Sequence, residues 1–333
     1  MPPSSKPVAL VVGASRGIGR QVAVDFAAHG YAVVVAAKTV SDPSKPITAI
    51  PDPKSNESTI TTVSYEIRQA GGDAHPVQVD VRSEDSVNSL IQQTIDASSH
   101  QHDGPPSDVL IYNSGAIYWA SVKDTPLKRF KLMQSVNPEG LYATVQAALP
   151  HLKASAGNHS SSSSSSGGGG GRIIVVSPPI YSRFFRGKTA YAMGKVGMSV
   201  LTKGLAMDFV REGLAAERGM AITSLWPAVA IESAATERMT KLNPDEAADL
   251  RKPTIFSDAM LAIVGAPADD VNGELLLDED FLHDYCGVRD FRKYNVVPDS
   301  EPRRIMPARL PDLRVAEQDD EGKRVDSTKL AKL

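Results

Sequence analysis

Short apolar runs rich in β-branched residues alternate along this chain with longer stretches in which apolar residues recur at helical spacing. The runs fall at residues 8–12, 31–37, 75–79, 108–112, 172–177, 221–226 and 274–277. Between them the helical pattern covers 18–29, 57–70, 84–98, 126–152, 188–212 and 256–264. A strand that is apolar on nearly every residue suits a parallel sheet covered on both faces. The alternation predicts an α/β fold, a doubly wound parallel sheet of about seven strands with helices on both faces. Right-handed crossovers then place a ligand crevice at the carboxyl ends of the strands.

Three segments break the rhythm. Residues 39–55 are rich in Pro, Ser and Lys and read as a long loop after the second strand. A serine run at 160–166 followed by glycines 167–171 has too little apolar surface to offset its ordering entropy. It is expected as a disordered surface loop, about 156–171, within one domain spanning 1–298. Residues 299–333 are charged and Pro-rich and read as a tail.

Composition narrows the function. Hydrophobic residues make up 41% of the 333, enough for a sizeable core. A net charge of -3 argues against a nucleic-acid binder built on a basic field. A single cysteine, Cys286, excludes an internal disulfide framework and a cysteine-rich zinc site, and no metal is expected. It reads as a small packed side chain. No apolar run approaches the roughly 20 residues that cross a bilayer. The run at 8–12 is too short for a signal-peptide core and reads as the first strand.

Four groups of residues carry chemistry. Gly13-Ala14-Ser15-Arg16-Gly17-Ile18-Gly19 follows the first strand and opens a helix. Glycines there let a pyrophosphate approach the amides of a helix N-terminus, the feature of a Rossmann-like fold. About 20 residues on, NAD sites place an acid for the ribose 2′-hydroxyl. Here the second strand ends in Ala37, Lys38 and Thr39. Lys38 and Arg16 would both attract a 2′-phosphate, which favours NADP(H) over NAD(H); otherwise Lys38 is a solvated lysine. Tyr191 and Lys195 stand four apart, on one face of a helix. A neighbouring ammonium lowers a phenol's pKa and makes it an acid–base group. Ser177, at the end of the preceding strand, can hold a substrate oxygen beside that phenol. Finally, Asn113-Ser114-Gly115 ends the fourth strand, and Asn137 sits in a helical stretch just before Pro138.

Together these residues resemble the short-chain dehydrogenase/reductase family over roughly residues 7–298. Gly13, Gly17 and Gly19 occupy its glycine positions, and Asp80-Val81 stands where the family contacts adenine. The resemblance implies that Tyr191 is the catalytic acid/base and that Lys195 binds ribose and depresses the phenol's pKa. It also implies that Ser177 orients substrate and Asn137 anchors a water in a proton relay. Asn113, Gly115 and Pro227 join the cofactor set. A closer likeness is to the hydroxysteroid-dehydrogenase-like type 2 subfamily, through Ala36-Ala37-Lys38-Thr39, Asp124-Thr125-Pro126, Val136-Asn137, Ser177-Pro178-Pro179, Leu225-Trp226-Pro227 and Leu277-Asp278-Glu279. Members often carry a sterol-carrier domain, and none is expected within residues 299–333. Three residues depart from the family: Val12 for Thr, Tyr112 for Asn, and Ala228 for Gly.

The expected activity is an NADP(H)-dependent alcohol–carbonyl interconversion on a lipophilic small molecule. Ile117, Tyr118, Trp119, Ile180, Tyr181 and Trp226 would line its crevice and residues 230–250 would form a lid. The competing reading is a non-catalytic NADP(H)- or lipid-binding protein on the same fold. Helices at 126–152 and 188–212 suggest a homo-oligomer by family likeness. The terminal Ala331-Lys332-Leu333 resembles a peroxisomal address read by an import receptor.

Overall fold

Strand alternation divides the interior into two layers. In the computed structural model, which describes residues 6–99, 109–158, 170–180, 185 and 187–311, seven strands form one parallel sheet. They are β1 (Val8–Val12), β2 (Ala32–Ala37), β3 (Asp73–Gln78), β4 (Val109–Tyr112), β5 (Arg172–Val176), β6 (Ala221–Trp226) and β7 (Leu275–Leu277). Their order is β3-β2-β1-β4-β5-β6-β7, so the winding reverses between β1 and β4. Ala9 and Val11 of β1 face one layer, with α1 (Gly17–Ala28), α2 (Ile60–Gln69) and α9 (Thr254–Gly265). Val8, Leu10 and Val12 face the other, with α3 (Glu84–Ser99), α5 (Gly140–Asn158) and α6 (Thr189–Arg211). Both faces are covered, which is why the strands read as unbroken apolar runs. Phe26, Phe209 and Phe256 are fully buried among these layers. Truncating any one to Ala would cost about 3–5 kcal/mol.

Local chemistry explains where elements begin. Thr59 caps α2 by accepting the Thr62 amide, and Thr62 accepts the Thr59 amide in return. Glu84 and Asp85 open α3, where acids favour the positive end of the helix dipole.

The structure redraws several boundaries. The stretch expected as one helix at 126–152 is α4 (Leu127–Gln134), a wide π-helical turn (Ser135–Glu139) and α5. Pro138 has no N–H to give to the ladder, and the wide turn accommodates it. The low-complexity loop is narrower than expected: α5 reaches Asn158, and Gly170 is buried against Arg218 and Gly219. Residues 159–169 lie outside the described residues. Short helices α7 (Leu214–Arg218), α10 (Ala268–Val271) and α11 (Asp278–Asp284) had no separate signal in the periodicity. Cys286 is exposed just past α11, against the expectation of a packed thiol.

The largest difference concerns the segment that follows 298. It does not depart as a tail but runs back over the domain to residue 311. The amides of Ile305 and Met306 donate to the Ala228 carbonyl at 2.8 and 3.2 Å, and Met306 is buried. The Arg304 guanidinium forks onto both oxygens of Asp280 at 2.8 Å each. The partners lie tens of residues upstream, so no local pattern could reveal the docking. Among the described residues no helix is long and apolar enough to cross a membrane, and no cluster of three metal-ligating side chains occurs.

Candidate active site

Because all strands run parallel, β1, β4, β5 and β6 deliver their carboxyl ends to one rim. The chain turns sharply there at Gly13, with φ +93°, and again at Gly17, with φ +55°, a conformation that disfavours any Cβ. Space is as restrictive as torsion. A Cβ on Gly13 would stand 2.5 Å from the Ser114 amide, and one on Gly19 2.1 Å from the Gly13 carbonyl. The Asn113 amide group donates to that same carbonyl at 2.9 Å, locking the end of β4 to the turn after β1. Ser15 is buried in the turn, and its carbonyl accepts the Ser58 hydroxyl at 2.6 Å. Arg16 caps α1 with extended backbone, and its guanidinium reaches Asn56. The 39–59 loop thus lies against the glycine turn; the Gly17 amide donates to Pro53 at 2.9 Å.

Lys38 follows β2 with its ammonium 3.0 Å from Asp80, and Arg82 holds the same carboxylate. Arg82 first, then Lys38, keep the Asp80 carboxyl far below its ordinary range. The two residues expected to read different parts of a dinucleotide are therefore ion-paired. Val81 is buried beside them.

Tyr191 and Lys195 project from α6 into a crevice of about 770 Å³, which also takes in Arg16, Gly17 and Ile18 from the glycine turn and Pro227 from the end of β6. The Lys195 ammonium donates to the Val176 carbonyl at 2.7 Å. Asn137 is fully buried in the π-helical turn and clasps Ala116: its carbonyl accepts the Ala116 amide at 2.8 Å, and its amide donates to the Ala116 carbonyl at 3.1 Å. Gly115 brings these groups together. A Cβ there would lie 3.5 Å from the Asn137 oxygen and 3.6 Å from the Lys195 ammonium.

Burial sets the protonation of this pair. It pushes the Lys195 ammonium down to about 7. It raises the Tyr191 phenol above its ordinary value, opposite to the depression expected from a neighbouring cation. A packed cluster of Met133, Ala190, Tyr191 and Ala192, with Tyr118 and Phe130 beside it, keeps water from the phenol. The Trp119 ring meets Tyr191 edge-on at 6.4 Å, and the Lys188 ammonium lies 4.6 Å over that indole.

Ser177 is the exception among the expected site residues. It is fully buried, is not among the crevice-lining side chains, and is held by interior hydroxyls. Its oxygen is 2.6 Å from the Ser224 hydroxyl and accepts the Ser199 hydroxyl at 3.0 Å. Val176 lines the crevice and its carbonyl accepts the Lys195 ammonium, while the Ser177 hydroxyl turns toward Ser199 of α6 and Ser224 of β6. Of the expected aromatic lining, Ile117, Trp119 and Trp226 line the crevice, Tyr118 packs behind it, and Ile180 is not among the lining residues. Tyr181 lies outside the described residues, as does the 331–333 terminus.

Some contributors carried weak or no sequence signal. Tyr112, noted only as a departure, is fully buried, and its hydroxyl donates to Val136 at 2.6 Å, which anchors the turn that bears Asn137. Ala228, another departure, gives its amide to Asp278 at 2.8 Å. Burial pushes that carboxyl up to about 7. The expected lid is α8 (Ala234–Leu242) and a 3₁₀ turn (Pro244–Asp249), both reaching the crevice.

The glycine turn, without room for a Cβ at Gly13 and Gly19, the crevice at the strand ends and the cations at its rim fit a nicotinamide dinucleotide. The comparisons agree. A model of the short chain dehydrogenase family matches residues 7–229. Hydroxysteroid dehydrogenase-like protein 2 of Danio rerio is 34% identical over 291 residues, 86% of this chain and 60% of its own length. The chain thus spans about 60% of that relative's length. A putative dehydrogenase from Xanthomonas campestris superposes with a TM-score of 0.70 at 31% identity, over 93% of this chain and 98% of its own. A short chain dehydrogenase from Mycobacterium thermoresistibile gives 0.70 at 32%, over 89% and 92%. With the glycine turn, the Tyr191–Lys195 helix and the sheet order all agreeing, the chain belongs to the short-chain dehydrogenase/reductase family.

Proposed function

We propose that this protein is an oxidoreductase that interconverts an alcohol and a carbonyl on a lipophilic small molecule, with NADP(H) favoured over NAD(H). The convergence of Tyr191, Lys195 and Asn137 beside the glycine turn carries this reading. A bound nicotinamide supplies or accepts the hydride. Tyr191 exchanges the proton at the substrate oxygen; its buried phenol is held protonated, ready to donate to a carbonyl. Lys195, on the same helix face as the phenol and donating to the Val176 carbonyl, stands ready for a ribose hydroxyl. Gly13, Ser15, Arg16, Gly17, Ile18 and Gly19 would hold the pyrophosphate end, and Asp80 and Val81 the adenine. Asn113, Gly115 and Pro227 would flank the ribose and nicotinamide. Ser177 is left out of the proton-transfer set, because its hydroxyl is spent in the interior.

Apolar walls at Ile117, Trp119 and Trp226 support a lipophilic substrate. Arg16 and Lys38 support NADP(H). Tyr191→Phe is expected to lower kcat by about 10²–10⁴-fold on a panel of ketones and aldehydes with NADPH, leaving NADPH affinity near wild type. Undiminished turnover in that variant would mean that Tyr191 is not the acid–base group, whereas no turnover of the panel by the unaltered protein would favour the binding-only alternative. Exposed Tyr142, Val200 and Val210 on α5 and α6 support a homo-oligomer through those helices. The Ala331-Lys332-Leu333 terminus supports peroxisomal import. Deleting those three residues is expected to leave a tagged protein in the cytosol; unchanged import would remove the claim.

A further inference from the structure

The substrate end of the crevice has a wall that the family motifs do not account for. Arg303, Arg304, Ile305 and Met306 line it, facing Met239 of α8 and Asp249 of the 3₁₀ turn. This strap is fastened at two places. Its inner edge hangs on the Ala228 carbonyl, one residue past Pro227, through the Ile305 and Met306 amides. Met306 packs with Ala228 and Leu277, and Trp226 lies against that cluster. Its outer edge grips the lid. One carboxylate, Asp249, accepts the Arg303 backbone amide at 2.9 Å, its Nε at 2.7 Å, and a terminal guanidinium nitrogen.

We infer that residues 299–311 form a wall of the substrate crevice, and that the Arg303–Asp249 contact is the latch holding the lid (residues 234–249) against that wall. An exposed ion pair alone is weak. Here three donors converge on one carboxylate, and the strap behind Arg303 is already anchored by backbone bonds and by the buried Met306. The contact therefore adds little entropy cost beyond the lid's own. Arg304 stabilises the strap from the opposite side by forking onto Asp280. With the latch closed, access to the apolar cavity is set by Ile305 and Met239, which makes the wall a determinant of which lipophilic molecules enter. This deepens the function proposed above, and its test reads access without turnover.

The chain has two tryptophans, Trp119 and Trp226, both lining the crevice. In a Trp119→Phe background, Trp226 alone reports on the strap. Arg303→Ala and Asp249→Asn are each expected to raise the acrylamide quenching constant of Trp226 about twofold, with unchanged far-ultraviolet circular dichroism. The exchanged pair, Arg303→Asp with Asp249→Arg, is expected to bring quenching back toward the background value. Quenching unaltered in both single variants would overturn the latch. So would an exchanged pair that stays as open as the singles, since the opening would then not come from loss of the ion pair. Because no substrate or cofactor is added, the proposed oxidoreductase activity can fail while the latch stands, and the reverse.

Discussion

The two ends of the crevice are built by opposite means. The cofactor end is made of backbone: consecutive residues of one turn, shaped by Gly13 and Gly19 with no room for a Cβ and by the positive φ of Gly17, and tied to the next strand end by Asn113. The substrate end is made of side chains from β6, the lid and the strap beyond residue 298, with ion pairs between positions 24 to 54 residues apart fastening the strap to the lid and to α11. A backbone site tolerates little change and recurs with the fold. A side-chain wall can vary residue by residue without disturbing the sheet, which is where differences in substrate are accommodated.

The comparison can be broken at several points. The strongest is Gly19→Ala, whose Cβ would run into the Gly13 carbonyl. Overpacking of this kind costs about 1–3 kcal/mol, and NADPH affinity measured by titration should fall about 100-fold, roughly 2.8 kcal/mol. A variant that binds NADPH like wild type would show that the turn is not the cofactor end. Next is Lys38→Asp. Removing the cation and placing an acid should shift the preference from NADPH toward NADH by about tenfold in relative Kd. The same change puts two carboxylates together at Asp80, so the NADPH arm should weaken more than the NADH arm strengthens. An unaltered ratio would mean that Lys38 serves only its pair with Asp80. The smallest effect on catalysis is expected for Ser177→Ala. If the hydroxyl is interior, kcat should stay within a few-fold of wild type, while thermal unfolding reports a loss of about 0.5–1.5 kcal/mol, since Ser199 still donates to the Pro178 carbonyl and Ser224 keeps Thr202. A kcat loss as large as that of Tyr191→Phe would restore Ser177 to the reacting centre.

Much of this was legible in advance because it is local. Unbroken apolar runs announce strands covered on both faces, and β1 and β6 fall at the residues the pattern marks. Gly13, Gly17 and Gly19 are visible because their spacing reports torsion and close approach. Tyr191 and Lys195 are visible because four residues is one helical turn. The direction of the Ser177 hydroxyl was not legible for a reason of the same kind: position at a strand end says which rim a residue nears, but not which way its side chain turns. Only the packing of α6 and β6, with Ser199 and Ser224 waiting, directs that hydroxyl inward.

By itself, then, the sequence determined the α/β alternation, the glycine turn and the helical pairing of the phenol with the ammonium, since each depends on neighbours within a few residues. The tertiary structure alone decided how those groups are protonated and what encloses them. Burial raises Tyr191 and lowers Lys195, because desolvation disfavours the charged form of each. Residues 299–311 become a wall because the amides of Arg303, Ile305 and Met306 and the side chains of Arg303, Arg304 and Met306 find partners that only folding brings within reach.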